Sequence, residues 1–292
     1  MVKLMTIHEL ANNPTLSGQV RLIENIVYGA MDGEALHMSI LAPWTQRFPK
    51  QYQTEPRPVI VFVQGSSWRT PKMGEEIPQL VQFVQAGYIV ATVQHRSSID
   101  GHPFPAFLQD VKTAIRFLRT NAQKYAIDPQ QVAIWGTSSG ANAAMLVGLT
   151  GDDPRYKVDL YQDESDAVDA VVSCFAPMDV EKTFEYDANV PGNKLLQYCL
   201  LGSDVSKWPE IEKQMSPLYQ VKDGQNYPPF LLFHGDADKV VPYEQMEKMY
   251  MRLKDNGNSV EAYRVKGANH ERDFWSPTIY NIVQKFLDDQ FK

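Results

Sequence analysis

Five short, nearly continuous runs of apolar residues constrain the fold of this chain more than any other feature. Many of their residues are β-branched, which is typical of strands that are buried on both faces of a parallel sheet. The runs are Pro58–Val63, Tyr88–Val93, Val132–Trp135, Val168–Cys174 and Phe230–Phe233. Helical spacing of apolar residues occurs in Ile77–Ala86, Phe107–Tyr125, Ala141–Leu149, Glu244–Asn256 and Pro277–Phe291. This alternation predicts an α/β fold with helices on both faces of a mostly parallel sheet.

Three further strands complete a predicted sheet of eight. Val20–Tyr28 and Ala35–Ala42 flank the turn MDGE and predict a β-hairpin, because Asp and Gly tolerate positive φ. A polar, Pro-containing link leads to Arg57, and Ser259–Val265 predicts the last strand. We interpret residues 1–292 as a single domain, in which 180–227 forms an insertion that acts as a partial lid.

Composition excludes several classes of function. The net charge is −7, and no cluster of basic residues suits a phosphate backbone, so nucleic acid is not an expected partner. No apolar stretch is long enough for a membrane span or for the core of a signal peptide. Two cysteines, Cys174 and Cys199, suit a reducing compartment. We therefore expect a cytoplasmic protein with no membrane partner, for which a homo-oligomer is compatible with the sequence.

A pentapeptide at the end of one predicted strand provides a candidate nucleophile. The segment GTSSG, residues 136–140, follows VAIW and opens a predicted helix, so Ser138 would sit on a sharp strand-to-helix turn. Flanking glycines let the strand and helix backbones approach each other where a Cβ would clash. The amide of Ser139 would then lie at a helix N-terminus, where it can stabilise an oxyanion.

A serine hydroxyl needs a base, and a third group must hold that base. His270 follows the last predicted strand and is the candidate base, while His95 at a strand end is the alternative. His234 also ends a strand, and we assign it a structural role, since such imidazoles often bind loop carbonyl groups. Asp238, in the segment HGDADKVVP, is the preferred acid. Asp236 and Asp179 are the remaining candidate acids.

The loop after the first central strand provides candidates for the second oxyanion donor. It contains QGSSW, residues 64–68, whose amides at Gly65 and Ser66 can serve this purpose. Trp68, Phe175 and Trp275 are candidates to line an acyl or alcohol pocket, although such aromatic residues more often belong to the core. No spacing of histidines, cysteines or carboxylates matches a metal site, and no dinucleotide or Walker motif occurs, so no metal and no cofactor is expected.

From Val59 to His270 the sequence resembles the acetyl xylan and feruloyl esterase branch of the α/β-hydrolases. It also resembles the related hormone-sensitive-lipase-like esterases. The matching segments are the long stretch FPAFLQDVKTAIRFLRTNAQKYAIDPQQVAIWGTSSGANAAML, the acid loop HGDADKVVP and the histidine loop GANH. The resemblance implies the α/β-hydrolase fold and a lipase-like serine esterase whose triad occurs in the order Ser138, Asp238, His270. The family usually has His-Gly-Gly-X-Trp at the oxyanion loop, and here Gln64 and Ser66 depart from it.

The predicted function is that of a carboxylic ester hydrolase. Its partner would be a small-molecule ester with a small acyl group, and the resemblance suggests acetylated sugars. One alternative is a serine peptidase similar to the prolyl oligopeptidases, which share the fold and the triad order. Another is a non-catalytic binding protein on a hydrolase scaffold, which an intact triad disfavours.

Overall fold

The structure is a computed structural model that describes residues 7–44, 55–186 and 191–292. Ten residues of the predicted polar link, 45–54, and four of the predicted insertion, 187–190, lie outside the described residues. The strands in the described part are β1 Val20–Met31, β2 Glu34–Pro43, β3 Arg57–Val63, β4 Ile89–Val93, β5 Ile127–Thr137, β6 Ala170–Cys174, β7 Phe230–Gly235 and β8 Val260–Val265. The α-helices there are α1 Ile77–Gln85, α2 Ala106–Thr120, α3 Ala122–Tyr125, α4 Ser138–Leu149, α5 Val180–Tyr186, α6 Asn193–Leu201, α7 Trp208–Met215, α8 Glu244–Asp255 and α9 Pro277–Phe291.

The strands form one sheet in the order β1-β2-β4-β3-β5-β6-β7-β8. The pairs β1/β2 and β2/β4 are antiparallel, and all the other pairs are parallel. The predicted mostly parallel sheet of eight strands is thereby confirmed. Because β3, β5, β6, β7 and β8 are parallel, the loops that follow them meet at one edge of the sheet.

Side chains of each central strand alternate between two hydrophobic cores. In β3, Val59, Val61 and Val63 face the core beneath α2, α4 and α8, whereas Ile60 and Phe62 face the core beneath α1 and α9. All five side chains are at most 2% exposed. Burial of both faces explains why these strands appear as continuous apolar runs rather than as alternating ones.

Two of the boundaries that differ from the sequence-based expectation have a clear local cause. The predicted helix 107–125 is divided at Asn121, whose side-chain amide donates to the carbonyl of Phe117 at 2.8 Å and so ends α2. Strand β5 begins at Ile127 rather than Val132, because Ile127 pairs with Arg57 of β3. The intervening residues are polar, so no apolar pattern marks this extension.

The hairpin turn is formed as predicted. Asp32 and Gly33 have φ of 51° and 84°, the pair of positive values that a tight two-residue turn requires. The predicted insertion contains helices α5, α6 and α7 between β6 and β7. It is anchored to the core by Asn142 of α4, whose amide group donates to the carbonyl of Met215 at 3.0 Å.

Candidate active site

Ser138 sits at the junction of β5 and α4 with a φ of 51°, a value that residues with a side chain rarely adopt. Gly136 and Gly140 are required there by close backbone contacts. A Cβ on Gly136 would lie 2.2 Å from the carbonyl oxygen of Gly140, and a Cβ on Gly140 would lie 2.1 Å from that of Val63. The glycines of GTSSG therefore permit a turn that presents the Ser138 hydroxyl at the edge of the sheet.

The structure brings His270 and Asp238 to this hydroxyl. His270 lies between β8 and α9, and its Nε2 is 2.9 Å from the Ser138 Oγ. Its Nδ1 is 2.8 Å from the Asp238 Oδ2, in the loop after β7. A carboxylate only accepts hydrogen bonds, so Nδ1 carries the proton and Nε2 is left to accept the serine O–H. The three side chains thus form a continuous hydrogen-bonded chain.

The carboxylate of Asp238 is buried and fully hydrogen-bonded. Its Oδ1 accepts the amides of Val240 at 2.8 Å and Val241 at 2.9 Å, and its Oδ2 lies 3.1 Å from the His234 Nε2. Burial alone would raise the pKa of Asp238, but the hydrogen bonds from His234 and His270 outweigh it and hold the pKa well below its ordinary value. The group is therefore ionised, as a partner of an imidazolium must be.

The other candidate acids and the other candidate base are engaged elsewhere. Asp236 accepts the Gly267 amide at 2.5 Å. Asp179 accepts the Tyr219 hydroxyl at 3.0 Å and the Lys182 amide at 3.2 Å. His95 is buried, which lowers its pKa, and its Nδ1 lies 2.9 Å from the carbonyl oxygen of Arg96. None of these groups has a hydrogen bond to Ser138 or His270 in the part of the chain that the structure describes.

His234 contacts both a loop carbonyl group and the candidate acid Asp238. Its Nε2 lies 3.1 Å from the carbonyl oxygen of Val241, which matches the assigned structural role. The same nitrogen also lies beside Asp238, a contact that the sequence interpretation missed. The available signal was the four-residue separation of the two side chains in HGDAD, at the end of a strand.

The candidate oxyanion amides are already hydrogen-bonded to side chains. The Gly65 amide donates to the Thr137 Oγ1 at 2.8 Å, and the Ser66 amide donates to the Ser139 Oγ at 2.9 Å. The Ser66 hydroxyl itself donates to the carbonyl of Arg69 at 2.6 Å. By contrast, the Ser139 amide belongs to the first turn of α4, where N–H groups have no partner within the helix. Among the described residues it is the candidate donor for which no competing hydrogen bond is seen.

The three candidate pocket aromatics occupy different environments. Trp68 is 4% exposed, and its Nε1 donates to the Asn142 Oδ1 at 3.3 Å. Phe175 is fully buried, and its ring centroid lies 4.6 Å from that of His270, with an interplanar angle of 62°. Trp275 is partly exposed and stacks on Tyr280 at 5.3 Å. Trp68 and Phe175 therefore support the loops around the site, and Trp275 is the one of the three that is not buried.

Comparison with known proteins identifies the family. A sequence model of the BD-FAE family matches residues 47–253, which is well over half of the chain. The chain belongs to the BD-FAE family. This family of α/β-hydrolase esterases agrees with the fold class expected from the sequence.

Relatives of this BD-FAE protein include two esterases of Mycobacterium tuberculosis. The chain is 31% identical to esterase LipC over 230 residues, which are 77% of this chain and 55% of LipC. It is 27% identical to esterase LipQ over 235 residues, which are 80% of this chain and 54% of LipQ. The chain thus spans about half the length of the curated relatives it matches.

Solved structures show the same fold over nearly the whole chain. A truncated form of a carbohydrate esterase from gut microbiota superposes with a TM-score of 0.77 at 26% identity, covering 96% of this chain and 99% of that one. Apo Thermogutta terrifontis esterase 2 superposes with a TM-score of 0.73 at 22% identity, covering 95% of this chain and 96% of that one. At this identity, the similarity to Thermogutta terrifontis esterase 2 shows a shared fold alone.

Neither a cluster of metal-binding side chains nor a helix suited to a membrane occurs in the part of the chain that the structure describes. Among residues 7–44, 55–186 and 191–292, no group of three or more histidine, cysteine and acidic side chains could hold a metal ion. Over the same ranges, no helix combines the length and apolar character needed to cross a bilayer.

Proposed function

We propose that this BD-FAE protein is a carboxylic ester hydrolase that uses Ser138 as nucleophile, His270 as general base and Asp238 as the group that orients His270. The observation that supports this most is the uninterrupted chain of contacts, 2.9 Å from Ser138 to His270 and 2.8 Å from His270 to Asp238. Relatives named as esterases and a fold neighbour named as a carbohydrate esterase support the same activity.

The reaction follows from the protonation states of these groups. His270 accepts the Ser138 proton at Nε2 as the hydroxyl oxygen attacks the ester carbonyl. The imidazolium then protonates the leaving alkoxide, and the ionised Asp238 stabilises its positive charge. A water molecule, deprotonated by the same imidazole, hydrolyses the acyl-enzyme and restores Ser138. No cofactor takes part in these steps.

The oxyanion of the tetrahedral intermediate requires donors close to Ser138. The Ser139 amide is the first donor in this proposal, because it follows the nucleophile at the start of α4. The Ser66 amide is the second, and it must exchange its hydrogen bond to the Ser139 Oγ for one to the oxyanion. The Gly65 amide contributes indirectly: its bond to Thr137 holds the loop next to the nucleophile turn.

Small acyl esters, including acetylated sugars, are the proposed substrates. The carbohydrate esterase that shares this fold at 26% identity supports a sugar ester, and the partly exposed Trp275, five residues after His270, is the candidate to contact it. Helices α5 to α7 would form the partial lid. Two free cysteines support a cytoplasmic location, since they suit a reducing compartment.

An ester panel tests the proposed activity. Acetyl, butyryl, longer acyl and feruloyl esters, with acetylated xylose oligomers, are given to the wild type and to Ser138→Ala. We expect hydrolysis of the short acyl esters that disappears in the variant. An aminoacyl arylamide included in the panel would be cleaved in preference only if the protein were a peptidase.

A further inference from the structure

A buried imidazole, that of His234, lies next to the proposed triad. His234 is the penultimate residue of β7 and has no exposed surface. Its Nε2 lies 3.1 Å from the Asp238 Oδ2 and 3.1 Å from the carbonyl oxygen of Val241. The ring of Tyr243 packs edge-on against it, with centroids 6.0 Å apart and an interplanar angle of 87°. The imidazole therefore has one fixed orientation.

The surroundings of this ring determine where its proton lies. Both oxygens next to Nε2, an ionised carboxylate oxygen and a backbone carbonyl oxygen, can only accept hydrogen bonds. Nε2 therefore carries a proton and donates. The other ring nitrogen, Nδ1, is buried and has no hydrogen-bond partner among the described residues. A proton on Nδ1 would be a buried donor without an acceptor, so the contacts favour the tautomer whose proton is on Nε2.

Asp238 thus receives four donors, two on each oxygen. The amides of Val240 and Val241 hold Oδ1, while His234 and His270 both donate to Oδ2. The Oδ1 bonds come from the same loop as Asp238, so they do not tie the carboxylate to the sheet. His234 comes from the end of β7, which is paired with β6 on one side and with β8 on the other, so its donation ties Oδ2 to the sheet whose strand β5 leads into Ser138.

We propose that His234 is a positioning residue for ester hydrolysis: its Nε2–H holds the Asp238 Oδ2 where that oxygen meets the Nδ1–H of His270. The inference rests on the proposed function, because it gives His234 an effect on turnover through Asp238. It goes beyond a tie between β7 and its loop, for which the contact with Val241 alone would suffice.

Two substitutions of similar size distinguish the effect of losing the His234 N–H donor from the effect of altered packing. His234→Gln keeps an N–H donor at about the reach of Nε2, whereas His234→Met has a side chain of similar length and no donor. We expect His234→Met to lower kcat by about tenfold or more with KM within about twofold, the effect of deleting one hydrogen bond to a charged group. His234→Gln should recover most of the lost kcat. Thermal unfolding of both variants reports their packing.

A spectroscopic measurement makes the test independent of turnover. The Nδ1 proton of His270, held by a carboxylate, gives a far-downfield proton NMR signal that is absent in His270→Ala. This signal should move or broaden in His234→Met and remain near its wild-type position in His234→Gln.

The outcomes distinguish this inference from the proposed function. Equal kcat in wild type, His234→Met and His234→Gln, with an unmoved NMR signal, would overturn the positioning role while leaving ester hydrolysis intact. Equal losses of kcat in both variants would also overturn it, because they would indicate packing alone. If the wild type hydrolyses no ester in a Ser138-dependent way, the proposed function fails, and the NMR comparison alone decides whether His234 positions Asp238.

Discussion

His270 Nδ1 lies 2.8 Å from the Oδ2 of Asp238, and this contact fixes which ring nitrogen faces Ser138. With the proton held on Nδ1, Nε2 is unprotonated and lies 2.9 Å from the serine hydroxyl. The two residues come from the loops after β7 and β8, which are adjacent parallel strands. Parallel pairing of these strands therefore places the acid beside the base, and the orientation of the imidazole depends on the carboxylate.

Asp238→Asn should lower kcat by about a thousandfold or more, since an amide in place of the carboxylate favours the wrong imidazole tautomer and no longer stabilises the imidazolium. Steady-state kinetics on a short acyl ester measure the loss. The matched control is Asp236→Asn, two residues away, because among the described residues the Asp236 carboxylate accepts the Gly267 amide and lies 3.6 Å from Arg264, without a contact to His270. Comparable losses of kcat in both variants would contradict the assignment of Asp238.

Ser139→Ala should raise kcat and lower stability. The hydroxyl of Ser139 accepts the Ser66 amide, which the proposed mechanism needs for the oxyanion, and alanine removes that competitor. One added oxyanion donor can accelerate acyl transfer by up to about a hundredfold, so an increase of several-fold is expected. Loss of the buried hydrogen bond should lower the free energy of unfolding by about 1 kcal/mol. An unchanged or reduced kcat would show that the Ser66 amide is not limiting.

The sequence predicts the fold more completely than it predicts the contacts of the candidate site. The buried strands were predictable because both faces of the sheet are apolar, and the chosen serine, acid and histidine are the residues that the structure brings into contact. Their catalytic roles remain a prediction. The bonds from Gly65 to Thr137 and from Ser66 to Ser139 were not predictable, because they join backbone and side-chain atoms 72 and 73 residues apart, and such contacts leave no periodic pattern.

Gly140→Ala should prevent correct folding or strongly destabilise the protein. The added Cβ would meet the carbonyl oxygen of Val63 at 2.1 Å, and both groups belong to backbone that cannot move independently of the sheet. We expect a loss of several kcal/mol in the free energy of unfolding, measured by denaturant titration. Gly74→Ala is the control, since nothing lies within 4 Å of its added Cβ, and it should unfold like the wild type.

Asp166→Ala should be far more destabilising than a surface substitution of the same kind. Its carboxylate accepts the Lys112 Nζ at 2.6 Å and the Arg116 guanidinium at 2.9 Å, and all three side chains are at most 1% exposed. Removing it leaves two buried cations without their partner, which costs about 3–5 kcal/mol.

The control for that substitution is Asp289→Ala, which breaks the exposed pair between Asp289 and Lys285. Its effect should stay within about 0.5 kcal/mol, as for most exposed ion pairs. Denaturant titration of the two variants beside the wild type measures both values. Similar losses in the two variants would contradict the structural role of the buried cluster.

The two thiols should differ in reactivity. Burial raises the pKa of Cys174 to about 12, so its thiol stays protonated, and it is also inaccessible. Cys199 is partly exposed. A chromogenic disulfide reagent at about pH 8 should therefore titrate one thiol in the native protein and two after unfolding. Rapid reaction of both thiols in the native state would contradict the burial of Cys174.

Covalent labelling by a fluorophosphonate, followed by peptide mapping, tests the central claim most directly, because the probe reacts with an activated serine and not with an ordinary hydroxyl. We expect a single adduct on Ser138 in the wild type, no adduct at this position in Ser138→Ala, and a labelling rate at least about a hundredfold lower in His270→Ala. An unlabelled Ser138 in the folded wild type, or equal labelling rates with and without the His270 imidazole, would contradict the account.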